Sequence, residues 1–371
     1  MSTSAQRGHI AWAVQNRKVG EATFNPATGT ASATSSGHLI AADWQRHRAE
    51  SVNLGVNDFY DVLPQEVGGS LFVNSSYKNG AFVAGGARIY TRLENSIGYL
   101  LYGAAGYASS VTSAGTGGNT HTFAVSTTDE TTMPWLALRK YTPASAGVVG
   151  ASEYFADCKV NMLTLNVPAM GPTMAEFSVI GRKPTVSDTE DTVGSAYEAG
   201  TSLAHSCQGQ ILLPDFNSSI TDWSGGKFTS AQVMIANNIS QPDQQMVIGS
   251  YHPDDLVPLS RSVQLRLIYK WEDPKLYKKL LYNGGSSWSP VVQRSEISIK
   301  TASVNNIPNE GSVPYSMTFT AKDVDWTMSP PQLAGNNLLF TEFTGIVKGG
   351  NYSGVPTWKI DLVNNATYTM S

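Results

Sequence analysis

The sequence predicts a mainly β protein in which one β-rich unit, carrying a single short helix, occurs twice in tandem. Three observations carry this. Apolar and polar residues alternate with a period of two over many short stretches, the mark of strands buried on one face. Charged residues make up only 15% of the chain while glycine reaches 34, a composition that suits turn-rich β structure better than long helices. Finally, IYTRLENSIGYLLYGAAG at 89–106 returns at 268–285 as IYKWEDPKLYKKLLYNGG.

In chain order, residues 1–66 have no clear second-half counterpart and read as an insertion or arm on the first unit. The first helix has Asn95 or Ser96 as cap and an apolar stripe of Ile97, Leu100 and Leu101, with Gly103 as its stop. NMLTLNV and AEFSVIG follow as strands, joined by the proline and glycine turn PAMGPTM. The acidic, small-residue segment KPTVSDTEDTVGSAYEAGTSLAHS reads as a linker. In SVQLRLIYK, Val263, Leu265, Leu267 and Tyr269 share one face, a pattern that Ile268 disturbs only slightly. For the second helix, Asp273 caps, Pro274 takes the first helical position, Leu276, Tyr277, Leu280 and Leu281 share a face, and Asn283 and Gly284 end it. EISIK, YSMTFTA with Tyr315, Met317 and Phe319, and WKIDLV with Trp358, Ile360 and Leu362 complete the series of half-buried strands.

Ile89 and Tyr90 match Ile268 and Tyr269 at one spacing, whereas Leu100, Leu101 and Tyr102 match Leu280, Leu281 and Tyr282 at a spacing one residue larger, which a single insertion reconciles. Chance likeness of short apolar segments is the alternative, and the shared order of strand, helix, loop and strand pair argues against it. The pair NMLTLNV and AEFSVIG is matched with EISIK and YSMTFTA. The predicted units are therefore 1–183 and 207–371, with 184–206 between them; the length also fits one large β domain.

Charge excludes a basic nucleic-acid binder. Up to Cys207 there are 13 basic and 16 acidic residues, from there on 12 and 13, and the net charge is −4. MSTSAQRGHIAWAVQNRK lacks the pattern of a signal peptide, and no apolar run approaches membrane-spanning length, so synthesis in the cytoplasm without membrane insertion is expected. Cys158 and Cys207 have no CxxC spacing and read as ordinary thiols. Sequons at Asn74, Asn217, Asn238, Asn351 and Asn365 carry no weight without a secretion route.

Catalytic patterns are absent, and no catalytic, cofactor-binding or metal-binding residue is assigned. His9, His38, His47, His121, His205 and His252 form no HExxH, and there is no GxSxG. In SGGKFT, Lys227 lacks the upstream glycine of a phosphate loop and Phe228 stands where Ser or Thr would hold magnesium, so the segment reads as a loop entering a strand. SAGTGGNTH reads as a flexible loop. Asp254 and Asp255 beside Pro253 read as a turn, with a metal site as the alternative. Eight tryptophans invite a sugar-stacking reading, but Trp326 and Trp358 lie in strand alternation, which places them in the core.

VLPQEVGGSLFV, GYLLYGAAG, NTHTFAVS and ASEYFADCKVNMLTLNVPAMGPTMAEFSVIG, in that order, resemble the tail tube proteins of long, flexible-tailed bacteriophages. AQVMIANNIS, MVIGSYHPDDLVPLSRSVQLRLIYKWEDPKLYKKLLY and FTAKDVDW resemble the same domain again, so the likeness covers most of the chain. It implies tandem β-sandwich or open-barrel domains, each with one flanking helix, whose inner sheets join around a channel. It further implies rings of three chains with pseudo-sixfold symmetry, stacked into a tube. Partners would be other copies of the chain and the tape measure, tail terminator and distal tail proteins, with double-stranded DNA passing through unbound. The protein would belong to the virion tail and be assembled in the bacterial cytoplasm. A tandem β-sandwich protein of a tail tip, binding a receptor or carbohydrate, is the competing expectation.

Overall fold

The period-two stretches form strands. A computed structural model describes residues 8–20, 39, 44, 46–62, 76–94, 97–111, 118–126, 129, 131–144, 150–187, 202–213, 227–272, 274–282, 286–331, 338–349, 351–352 and 355–368. The first half holds β1 (His9–Val14), β2 (Ala49–Val52), β3 (Gly55–Val62), β4 (Ser76–Tyr90), α1 (Ile97–Ala105), β5 (Tyr107–Val111), β6 (Asn119–Ala124), β7 (Leu136–Thr142), β8 (Ala151–Val167) and β9 (Met174–Ser187). The second holds β10 (Ala204–Leu212), β11 (Lys227–Ala236), β12 (Ser262–Lys270), α2 (Lys275–Tyr282), β13 (Arg294–Asn306), β14 (Pro314–Met328), β15 (Phe340–Val347), β16 (Asn351–Tyr352), β17 (Val355–Pro356) and β18 (Trp358–Asn364). The segment 184–206, expected as a linker, begins inside β9 and ends inside β10, and its central residues 188–201 lie outside the described residues.

Sixteen of these strands form one antiparallel sheet, and β16 pairs with β17 apart from it. Its neighbour order contains the same four-strand pattern twice. β3, β4, β9 and β8 lie side by side in the first half, and β11, β12, β15 and β14 in the second. The place of β9, next to the strand that precedes the helix, is thus taken by β15. The hairpin matched from sequence, β13 with β14, is therefore not the counterpart of β8 with β9; the pair β14 and β15 is. β8 pairs directly with β11, from Ala231 opposite Val167 to Ala236 opposite Met162, so the two four-strand groups run edge to edge. A second seam pairs β18 with β6.

Burial also corrects the alignment of the two matched segments. Ile89 is buried, whereas Ile268 lies on the opposite face from buried Leu267 and Tyr269. A one-residue slip turns every side chain of a strand to the other face. The residue that occupies Ile89's place is Tyr269, 180 positions on, the same spacing that separates Leu100 from Leu280 and Tyr102 from Tyr282. No insertion is needed.

Along one side of β4, β2 and β3 run in line, Val52 facing Ala87 and Gly55 facing Ala84. The break between them sits at Gly85, with φ +119, and at Gly86, whose N–H donates to Asn53 Oδ1 at 2.7 Å. A Cβ on Gly86 would stand 1.7 Å from the Phe177 carbonyl oxygen, so only glycine fits. β1 pairs with β7 and is wholly buried. Within residues 1–66 the stretches His9–Val14, Ala49–Val52 and Gly55–Val62 are thus strands of the sheet, and residues 1–7, 21–38, 40–43, 45 and 63–66 of the expected insertion or arm lie outside the described residues.

The two helices have different surroundings. In α1 all nine residues are buried, because the helix lies over β8, β6, β5 and β1. Gly103 is not its stop. A Cβ there would come within 2.7 Å of Leu136 Cδ1, so this glycine lets the helix sit close to the sheet. The stop is Gly106, with φ +96 and its N–H on the Tyr102 carbonyl at 2.8 Å. In α2 only Leu276 and Leu280 are buried, over β14, and Lys278 faces solvent. The proposed caps Asn95, Ser96 and Asp273 and the stop at Asn283 and Gly284 fall outside the described residues.

One core cluster takes residues from both halves, among them Leu100, Leu163, Phe177, Leu265, Phe343 and Ile360. A second, built from Val19, Leu39, Trp44, Tyr154 and Ala156 with Ala11, Ala13 and Ala137, buries the first part of β8 on its other side. Trp326 and Trp358 are core residues as expected, and Trp326 Nε1 donates to Ser295 Oγ at 2.6 Å.

Leu280→Asp places an unpaired carboxylate between α2 and β14 and is expected to lower stability by several kcal/mol, about 3 or more. Lys278→Ala is expected to stay within about 0.5 kcal/mol of wild type. Thermal unfolding of the unassembled protein measures both; wild-type melting of Leu280→Asp would show that this face is not packed.

Candidate assembly surfaces and a buried polar clamp

The most strongly constrained polar group is Asp157, in a bulge of β8 where Leu136 faces Cys158 but Leu138 faces Phe155. Its φ of +54 is rare for a residue with a side chain. The carboxylate is fully buried and accepts four hydrogen bonds: from Gln15 Nε2 at 3.0 Å, the Val19 N–H at 2.7 Å, the Gly20 N–H at 3.0 Å and Arg182 Nη1 at 2.8 Å. Its own N–H donates to Gln15 Oε1 at 2.8 Å. Arg182, on β9, also donates through Nε to the Pro253 carbonyl. Lys159 donates to the Leu256 carbonyl at 2.7 Å and stands 4.2 Å from the Trp135 ring centre, and burial holds its pKa below the usual lysine value. The connection between β11 and β12 is thereby fastened across the first half. Its Tyr251 carbonyl also receives the Ala81 N–H at 2.8 Å.

This clamp accounts for the two aspartates singled out in the sequence. Asp254 pairs with Lys18 at 3.3 Å, and Asp255 accepts the Leu256 N–H at 2.7 Å, which is turn chemistry beside Pro253. Sequence reasoning missed Asp157 and Arg182 altogether. They stand in ordinary strand patterns, 25 residues apart, and only the pairing of β8 with β9 brings them together. Among the described residues no three of His, Cys, Asp and Glu gather into a metal-binding group, and no helix is long and apolar enough to cross a membrane.

His9, His47 and His121 are buried, His205 and His252 are partly buried, and His38 lies outside the described residues. His47 stacks on Trp12 at 3.8 Å, and His9 Nε2 lies 3.1 Å from Arg139 Nη2. Burial, with Arg46 and Arg139 near His9 and Arg92 near His47, lowers both pKa values from 6.5 to about 3. Lys227 and Phe228 open β11, Cys158 is buried with its thiol pKa pushed up, and Cys207 is exposed.

Away from the clamp and the second core cluster, the four-strand groups bury one face and leave the other open. Arg88, Glu176, Asn166, Gln232, Arg266 and Glu342 lie on the open face, with Arg88 opposite Glu176 and with Gln232 between Asn166 and Arg266 across the seam. Both arginines meet glutamates, Arg88 with Glu50 at 3.0 Å and Arg266 with Glu342 at 2.6 Å. The hydrogen bond and charge of Arg266 hold the Glu342 pKa below the usual value. At the seam Gln232 Nε2 donates to Asn166 Oδ1 at 2.7 Å. The surface is thus broad, polar and nearly charge-balanced, without a convergent set of catalytic groups among the described residues.

Two outcomes test the interior chemistry. Asp157→Ala leaves Arg182 buried without a counter-charge, and a loss of about 3–5 kcal/mol is expected in chemical unfolding. Arg182→Met should cost a comparable amount, and the double variant less than the two losses together. Because the folded pKa values of His9 and His47 lie below the unfolded value, unfolded chains bind more protons as pH falls from about 6.5 towards 3, so stability is full above that range and declines within it. His47→Gln should flatten the decline in melting temperature measured between pH 7 and pH 4; an unchanged slope would refute the assignment.

No curated protein matches the chain. Residues 19–321 match the family model described as phage tail tube protein, a span that covers β2 to β13 and part of β14 and so includes the seam between β8 and β11, both helices, and the clamp apart from Gln15 and Lys18. With most of its length inside that match, the chain belongs to the phage tail tube protein family.

Proposed function

We propose that three copies of this chain form a ring with pseudo-sixfold symmetry, and that rings stack into the tail tube through which the genome passes into the host. Family membership makes the protein a structural component of the virion tail. The observation that carries the finer reading is the seam between β8 and β11, where two four-strand groups of the same neighbour order continue each other within one chain. Repeating that step around an axis turns a sheet into a barrel without edges. Two groups per chain then require three chains where single-domain subunits would require six.

On this reading the repeated units are 1–183 and 207–371, connected through 184–206. The partners are further copies, the tape measure, tail terminator and distal tail proteins, and assembly takes place in the bacterial cytoplasm. Double-stranded DNA passes without specific binding. A duplex sticks where lysine and arginine neutralise its phosphates, and paired arginines on the open face avoid that. The role needs no catalysis and no metal.

Negative-stain microscopy of concentrated protein should show tubes, and mass photometry of ring intermediates should give three chains. Rings of six full-length chains would defeat the tandem stoichiometry, and a monomer that binds glycans would favour a tail-tip protein. Elemental analysis should find no stoichiometric metal; a bound metal lost together with tube formation in Asp254→Ala would contradict the non-catalytic, metal-free role.

A further inference from the structure

We infer that successive copies join by pairing Thr327–Ser329 of one chain with Gly55–Asn57 of the next, in the register of the internal seam. The inference rests on the tube reading and specifies its joint. Neighbour pairing aligns the two four-strand groups residue by residue. Phe177 faces Leu163 as Phe343 faces Met328, and both phenylalanines are buried, so Met328 occupies the place of Leu163. On the other flank Ala87 faces Val52 as Leu267 faces Ala231, so Val56 occupies the place of Ile235. Inside the chain Leu163 pairs with Ile235, Thr164 with Met234 and Met162 with Ala236. The same step between copies pairs Met328 with Val56, Ser329 with Gly55 and Thr327 with Asn57.

Both edges are open for this. Among the described residues β3 pairs only with β4. On the flank of β14 away from β15, β13 pairs as far as Arg294 opposite Asp325, and Trp326 N–H donates to the Gln293 carbonyl at 3.2 Å; among the described residues no strand pairs beyond that point. The register also respects the limits of each edge. Pro330, which has no N–H to give, falls opposite Leu54, whose carbonyl Lys140 Nζ already meets at 2.8 Å. Val56, 42% exposed, and the partly exposed Met328 form the apolar pair at its centre. The occupant is a second copy because each edge is the image of one that already pairs inside the chain. One chain carries both complementary edges, so the contact is head-to-tail and closes into a ring when the rotation permits.

The test uses full-length chains with Cys207→Ser. Asn57→Cys chains and Thr327→Cys chains are mixed under reducing conditions, allowed to assemble, and oxidised. Both sites are exposed, so folding is not at stake. A disulfide-linked dimer is expected from the mixture and from neither chain alone, and a chain carrying both substitutions should give bands that stop at three chains. Asp61→Cys mixed with Thr327→Cys lies four residues out of register and should not cross-link. Tubes that form normally without the Asn57–Thr327 dimer, or that link equally well through Asp61, overturn the joint while leaving the tube reading intact. A wild-type protein that stays monomeric at every concentration overturns both.

Discussion

The burial of Asp157 is the constraint on which the rest of the arrangement turns. An ionised carboxylate in the interior is costly unless its lone pairs are filled and its charge is met. Here the four donors come from the Gln15–Gly20 segment and from β9, and Arg182 extends the network to Pro253 in the connection between β11 and β12. The left-handed backbone at Asp157 is unfavourable in isolation and is held by the same bonds. Apolar packing alone would tolerate small slips between these segments. A carboxylate that must meet four donors does not, so this group fixes the N-terminal segment, the β8 bulge and a second-half connection in one geometry.

That geometry matters because β8 has two partners on one flank. Its first part pairs with β7 and its last part with β11, while β9 runs along nearly its whole other side. β14 repeats the device, with β18 and β15 sharing one flank and β13 on the other. Each long strand thus takes two successive partners along one flank, and the bulge at Asp157 lies before the point where β8 passes from β7 to β11. Asn237, just after β11, secures the transition by donating to the Val160 carbonyl at 2.9 Å and the Ala104 carbonyl at 3.1 Å. Helix α1, strand β8 and the seam are thereby tied together at one residue.

What could be read from sequence was what depends on local period. The alternation in SVQLRLIYK, YSMTFTA and WKIDLV predicted buried faces that are buried, and the apolar stripe of α1 is buried, whereas of the four stripe residues expected in α2 only Leu276 and Leu280 are. What was missed depends on partners far along the chain. The dipeptide Ile-Tyr looks identical at 89 and 268, yet its first residue faces opposite ways, because identity of letters says nothing of register. Gly103 has the look of a helix stop but serves close packing against Leu136. The partner of β12 is β15 rather than β14, and β18 completes a sheet with β6 from the other half; neither pairing leaves a mark in the strands themselves. The clamp was invisible for the same reason.

The two halves differ in ways that would suit a tandem chain on the tube reading. α1 is buried on all sides and α2 on one, and the connection between β11 and β12 is folded back across β4. The internal seam has six paired residues, whereas the joint inferred between copies has three before Pro330 intervenes. On the tube reading this asymmetry has a physical reason. A joint made within one chain forms at a high effective concentration and can be long and permanent, because its partner is always present. A joint between chains has to form late, and a long open edge displayed by the free subunit would invite pairing with any other strand. Halving the number of joints exposed before assembly, and shortening those that remain, keeps the subunit soluble until many weak contacts close together around a ring.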